Sequence, residues 1–271
     1  MLKQRIITAL ILAPVAIAGI FFLPPIGFAV FIGMVLTIGG WEWANLAGFE
    51  DRLRYVYAAL IALLMGLYSY FQPPAELVLI MGSLWWCLAL FFVVQYPARA
   101  RLWSSRTAIS LIGVLCLLPS YAGLLTLKQS ADSSFLILLL FFLIWGADIG
   151  AYFSGRAFGR RKLAVAVSPG KSWEGFFGGL LTATVIAVLM LLWLGKPDLQ
   201  SSRGMIFLAG CVLVVMISVL GDLVESMFKR NRGIKDSSGL LPGHGGVLDR
   251  VDSLLSAAPV FALMVIEYEW V

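Results

Sequence analysis

Long apolar runs recur along the whole chain, separated by short breaks that carry proline, glycine or serine. Nine runs are long enough to cross a hydrocarbon layer about 30 Å thick as helices. They fall at residues 6–22, 27–45, 55–71, 77–95, 107–127, 135–153, 174–195, 204–225 and 248–267. The breaks hold turn and helix-stop residues at Pro24-Pro25, Pro73-Pro74, Pro97, Ser130 to Ser134, Pro169-Gly170 and Pro197. The pattern predicts an all-α, polytopic integral membrane protein of nine transmembrane helices. With 61% hydrophobic and only 13% charged residues in 271, a soluble globule is excluded.

Charge adds an orientation. With the N-terminus on the cytoplasmic side, the segments on that side hold 17 of the 20 lysines and arginines, leaving Lys128, Lys196 and Arg203 outside. Such one-sidedness follows the positive-inside rule and puts the C-terminus outside. The net charge of +5 then reflects basic loops lying on anionic lipid headgroups rather than a nucleic-acid surface. Lys3 and Arg5 precede an apolar run with a signal-peptidase-like Ala16-Ile17-Ala18, but that run continues to Leu23 and reads as a retained span. Cys87, Cys116 and Cys211 fall inside apolar spans without CxxC spacing and read as buried, reduced packing residues.

Polar residues divide the chain in two. Residues 1–130 supply five almost purely apolar spans, a scaffold region. Residues 131–271 carry carboxylates in or beside four spans, a catalytic region. In the first region Glu42 is the only acid inside a span; flanked by Trp41 and Trp43, it reads first as an interfacial anchor, with a functional role as the alternative.

The second region carries the candidate chemistry. Asp148 lies inside the sixth span, where a carboxylate costs about 2.5–3.5 kcal/mol on insertion scales and so marks a functional position. It shares a helix face with Tyr152 and Gly155, and the plain alternative is pairing with Arg156 or Lys171. The run Ser168-Pro169-Gly170-Lys171-Ser172-Trp173-Glu174-Gly175 contains Gly-Lys-Ser without being a P-loop. The required first glycine is Val165, and no strand is expected before it. Lys171 instead sits where a helix start favours an anion, with Ser172 as N-cap and Glu174 in the first turn.

Further on, Asp222, Glu225, Ser226 and Lys229 line one face of the eighth helix, and Asp249, Asp252, Ser253 and Ser256 one face of the ninth. A 25-residue connection brings these ends to one side of the bilayer. Two acidic faces there suit Mg²⁺ in an oxygen shell shared with substrate phosphates; salt bridging to Lys229, Arg230 and Arg250 alone is the plainer reading. His244, between Gly243, Gly245 and Gly246, lacks the His or Cys partners of a zinc site. A polar contact to nucleotide or pyrophosphate and a loop-shaping role both remain open for it.

The stretch from Ser226 to Ser253 also resembles the C-terminal signature of the phosphatidate cytidylyltransferases (CDP-diacylglycerol synthases). The matching positions are Ser226, Lys229-Arg230, Lys235-Asp236, Pro242, His244-Gly245-Gly246 and Asp249-Arg250-Val251-Asp252. The run from Ser168 to Gly175 resembles the family's second motif. The resemblance implies that CTP and phosphatidic acid give CDP-diacylglycerol and pyrophosphate, in a bacterial inner membrane with the site facing the cytoplasm. It implies Asp222 and Asp249 on Mg²⁺, with Glu225, Asp148 and Asp252 as a surrounding layer or a second cation site, where K⁺ is suggested. Lys171, Lys229, Arg230, Lys235 and Arg250 would cradle the triphosphate and lipid headgroup, with His244, Gly245 and Gly246 at the nucleotide. A homodimer is implied as well. Competing readings are a CTP-dependent polyprenol kinase, against which the His-Gly-Gly to Asp-Arg-x-Asp ending argues, and a lipid or ion transporter, against which the crowding of acids at one face argues.

Overall fold

A computed structural model describes residues 2–195 and 198–268; within the first helix the side chains of residues 2–7, 9, 11 and 12 are outside that description. The expectations placed on the Lys3 and Arg5 side chains, Lys196 and Pro197 therefore lie outside the described residues. The nine predicted spans correspond one to one with nine helices among the described residues. These are α1 (Leu2–Phe21), α2 (Pro25–Leu46), α3 (Asp51–Phe71), α4 (Ala75–Val94), α5 (Arg106–Gln129), α6 (Ser133–Phe158), α7 (Trp173–Leu194), α8 (Ser202–Arg232) and α9 (Leu248–Glu267). By length and composition α2 to α8 can each cross a membrane. Helix α9 matches its predicted bounds but carries Asp249, Arg250, Asp252 and Glu267. It tolerates them because it runs through the middle of the bundle, against α8, α5 and α4, with Ala257, Ala258, Phe261, Ala262 and Val265 fully enclosed.

Three departures from the predicted elements matter for the site. Helix α8 continues past residue 225 to Arg232, so Lys229 and Arg230 are helical and only residues 233–247 connect α8 to α9. The cause is packing. Met227 and Phe228 carry the buried face onward, and Phe228 lies edge-on to Trp103 at 5.0 Å and to Trp43 at 5.4 Å. Helix α6 likewise runs to Phe158, placing Asp148 ten residues from its end. Third, a strand does precede α7: β1 (Lys162–Ala164) pairs antiparallel with β2 (Ser168–Ser172), Lys162 opposite Ser172 and Ala164 opposite Ser168.

Helices α6 and α7 share the most extensive helix interface in the molecule. Small residues make this possible, because without a hydrophobic force between lipid-embedded helices the backbones must come close to gain dispersion and polar contacts. A Cβ at Gly179 would lie 2.5 Å from the Ala147 carbonyl oxygen, and one at Gly150 would lie 2.7 Å from the Gly178 carbonyl oxygen. Between α8 and α9 the same device recurs once, at Gly221, where a Cβ would lie 2.6 Å from the Asp252 carbonyl oxygen. All three cysteines are free. Cys116 and Cys211 are buried as expected, whereas Cys87 is exposed on the outer surface of α4.

Candidate active site

The polar end of the bundle gathers α6, the β-hairpin, α7, α8 and α9. Each element delivers its side chain by local rules. Ser172 caps α7, accepting from the Gly175 amide at 3.1 Å, so the chain turns from strand to helix with Lys171 at the turn. Glu174 reaches back to accept from the amides of Arg160 (3.0 Å) and Arg161 (3.2 Å), which fixes the hairpin against the helix start. Lys171 Nζ then meets Asp222 Oδ2 of α8 at 2.7 Å. One turn further along α8, Ser226 donates to Asp222 Oδ1 at 3.2 Å.

Deeper, Lys229 Nζ bridges Asp249 Oδ1 (2.6 Å) and Glu225 Oε1 (3.2 Å). Glu225 is 2% exposed, and its carboxylate faces the Lys229 ammonium from a buried position. Asp252 lies within electrostatic reach of Asp222, Glu225 and Lys229, and accepts from the Ser253 amide at 2.7 Å. Asp148 lies within electrostatic reach of Lys171 and Asp222. Asp148, Asp222, Glu225, Asp252 and Asp249 thus form one continuous acidic strip, stitched by two lysines. Asp148 pairs with neither cation by direct contact, since Arg156 donates to the Tyr152 hydroxyl at 3.1 Å instead.

Asp148, Tyr152 and Gly155, which share a helix face as predicted, line a cavity of about 400 Å³ between α6 and α7 together with Arg156 and Lys171. Tyr152 and Phe176 are the aromatic side chains of its lining, and Tyr152, Phe153, Trp173 and Phe177 are exposed on the same two helices. A larger groove of about 1120 Å³ runs between α2, α3 and α5; apart from Lys128 its lining is uncharged, and it is remote from the acidic strip.

The remaining predicted site residues are arranged differently. Arg230 donates to the Val167 carbonyl at 3.3 Å, tying α8 to the hairpin. Arg250 turns back onto the His244 carbonyl (3.0 and 2.6 Å) rather than toward the carboxylates. Lys235 is exposed on the connecting loop. His244 shapes that loop through its main chain, its amide donating to the Leu241 carbonyl at 2.9 Å, while its buried Nδ1 has no hydrogen-bond partner among the described residues. Gly245 has φ +82°, a left-handed conformation that only glycine adopts freely.

One acidic residue is not where the sequence puts it. Glu42 is fully buried, and its role as an interfacial anchor is overturned. From α2 it accepts four hydrogen bonds, from the amides of Val247 (2.9 Å) and Leu248 (2.5 Å) and the hydroxyls of Ser238 (2.6 Å) and Ser237 (3.3 Å). Its neighbour Trp43 is buried too, donating to the Ile109 carbonyl at 2.8 Å. The signal was available in the sequence: an acid in an apolar span with Ile38, Gly39, Asn45 and Leu46 at helical spacing has no local cation to pair with.

A largely helical bundle thus carries a strip of five carboxylates and two lysines beside a cavity between α6 and α7, a donor set suited to anionic ligands. The chain belongs to the cytidylyltransferase family, whose model matches residues 3–267. It is 51% identical over 271 residues to the phosphatidate cytidylyltransferase of Pseudomonas aeruginosa, covering all of this chain and 99% of that one. It is 42% identical to the phosphatidate cytidylyltransferase of Haemophilus influenzae, covering 97% of this chain and 98% of the relative. The enzyme of the same name from Brucella suis is 34% identical, over 97% of this chain and 92% of its own length.

Proposed function

We propose that this chain is a phosphatidate cytidylyltransferase that couples CTP to phosphatidate, giving CDP-diacylglycerol and pyrophosphate for phospholipid synthesis. The observation that carries this reading is the 2.7 Å contact between Lys171 and Asp222, which joins the lipid-facing α6–α7 cavity to the acidic strip of α8 and α9. A lipid phosphate can enter the cavity sideways between aromatic side chains while a nucleotide arrives from water. An oxygen of the phosphatidate monoester attacks the α-phosphorus of CTP, the bond between the α-phosphorus and the bridging oxygen breaks, and pyrophosphate departs. A phosphate monoester with a second pKa near 6 is already mostly dianionic at neutral pH, so no strong base is needed. The task is to bring two anions together.

The chain's own residues divide that task. Lys171 contacts the phosphate at the junction of cavity and strip. Lys229 and Arg230, together with Lys235, Arg250 and the His244-Gly245-Gly246 turn, receive the nucleotide. Asp148 adds negative charge at the cavity wall, alongside the metal or at a second cation. The donor set fits Mg²⁺. Carboxylate oxygens are the ligands this hard cation takes, and the buried Glu225 carboxylate has the Lys229 ammonium at 3.2 Å from Oε1 as its one ion-pair partner among the described residues. No three His, Cys, Asp or Glu side chains form a ready cage among the described residues, and Mg²⁺ commonly takes one or two carboxylates plus substrate phosphates. Asp222 and Asp249 would hold it, with Glu225 and Asp252 alongside or at a second cation such as K⁺. Bound there, Mg²⁺ neutralises triphosphate charge and makes the α-phosphorus more electrophilic.

The same reading places the protein as a homodimer in a bacterial cytoplasmic membrane, residues 1–130 as scaffold and 131–271 as catalytic region, with the N-terminus and the site on the cytoplasmic side and the C-terminus outside. The one-sided distribution of lysine and arginine supports the orientation. The test supplies purified protein with phosphatidate, Mg²⁺ and CTP labelled at the α or the γ phosphorus. Alpha label is expected in the lipid. Gamma label in a lipid alcohol would make the protein a kinase and end this reading.

A further inference from the structure

We infer that Glu42 is a positioning residue for the transfer reaction: from α2 it holds the segment 237–248 in the shape that aims Asp249 at the acidic strip. The inference rests on the nucleotidyl-transfer reading above and adds to it a residue outside the catalytic half.

Two carboxyl groups divide the donors at the start of α9. Asp249 Oδ2 accepts from the amides of Gly246 (2.7 Å) and Ser237 (3.0 Å) and from the Ser237 hydroxyl (2.9 Å), leaving Oδ1 for Lys229. Glu42 takes the next two amides, Val247 and Leu248, and shares the Ser237 hydroxyl. A serine hydroxyl has one proton, so Ser237 links the two acids and can donate to only one at a time. Space enforces the arrangement. A Cβ at Gly246 would stand 2.5 Å from Glu42 Oε1, and one at Gly245 would stand 2.8 Å from Asp249 Oδ2. Asn45, one turn from Glu42 on α2, pins the same loop by donating to the Ser237 carbonyl at 2.9 Å.

The amides that a helix start would otherwise offer to a substrate phosphate are therefore taken by side chains. Their use is internal. They fix the rotamer of Asp249 and so the direction of Lys229, which bridges Asp249 to Glu225. Glu42 touches neither acid directly, and its effect passes through the loop.

The test uses the full chain in detergent, as wild type, Glu42→Gln and Ser238→Ala. It reads deuterium exchange across residues 237–248, the thermal midpoint, and kcat and KM for transfer of α label. Glutamine keeps the size, but its amide nitrogen faces backbone donors. Ser238→Ala removes one of the four donors to Glu42, together with the acceptor of the Leu240 amide. In folded Glu42→Gln the Val247 and Leu248 amides should exchange faster and kcat should fall about tenfold, in the range seen when groups orienting site ligands are lost. The KM for phosphatidate should stay within about twofold, since the cavity on α6 and α7 is untouched. Ser238→Ala should move exchange and kcat the same way by less.

Wild-type exchange and kcat in Glu42→Gln would overturn the inference. So would a Glu42→Gln chain that fails to fold while folded Ser238→Ala matches wild type in both readouts. If wild-type protein moves no α label, the transfer reading itself falls, and the exchange measurement still shows whether Glu42 holds the loop.

Discussion

The two helices that begin at the polar end, α7 and α9, use their first amides in opposite ways. At α7 a short serine cap takes one amide, and the first-turn acid, Glu174, faces away to hold the hairpin, so Lys171 is left at the cavity. At α9 two acids, one local and one from a distant helix, take three successive amides from Gly246 to Leu248. The first start leaves a cation at the cavity wall. The second immobilises a carboxylate. Both follow from the same four unpaired donors of any helix N-terminus, and the side chains placed around them decide which outcome results.

That contrast can be broken at several points. Asp249→Asn should cost most: losing a carboxylate from the strip is expected to lower α-label transfer at least about 100-fold, the scale of removing a principal electrostatic contact in a transition state. Retained folding, checked by thermal unfolding in detergent, separates this from collapse of the α9 start. Gly179→Val attacks the seat of α7 instead. Its Cβ falls 2.5 Å from the Ala147 carbonyl oxygen, so the helices must part, at about 1–3 kcal/mol, seen as a lower thermal midpoint. Lys171→Ala should reduce kcat/KM about tenfold with fold intact, and Lys171→Arg should recover only part, because a planar guanidinium does not replace a point-like ammonium. Ser172→Ala is the mildest: loss of the cap costs about 1 kcal/mol of stability while turnover of the folded protein persists. If Ser172→Ala instead abolished turnover with an unchanged midpoint, the description of α7 as a simply capped helix would be wrong.

How far the sequence reveals these two starts differs in the same way. At α7 the cap, the first-turn acid and the half-buried lysine lie within four consecutive residues, Lys171 to Glu174, and local rules suffice to read them. The β-hairpin before it escapes notice because Leu163 to Val167 is too short to show a period of its own. The continuation of α8 through Lys229 is half legible. The spacing of Asp222, Glu225, Ser226 and Lys229 already follows one helix face, but the charges at its end resemble a loop until Phe228 is seen between Trp43 and Trp103. The Glu42 contacts are not legible by any periodic rule, since their partners lie 195 to 206 residues away. Arg250 and His244 show the converse. Their motif is plain in the sequence, but its first use is a bond inside the loop.

Because a chain is made from its N-terminus, Glu42 is synthesised long before the four donors that will satisfy it. During that interval α2 carries an acid with no partner at helical spacing, a state that membranes tolerate poorly. Only when the last loop and the start of α9 arrive does the pairing close, 206 residues late for Leu248. Completion of the acidic strip is therefore tied to completion of the polypeptide: a chain stopped before residue 237 lacks Asp249 and Asp252 and leaves Glu42 without its four donors.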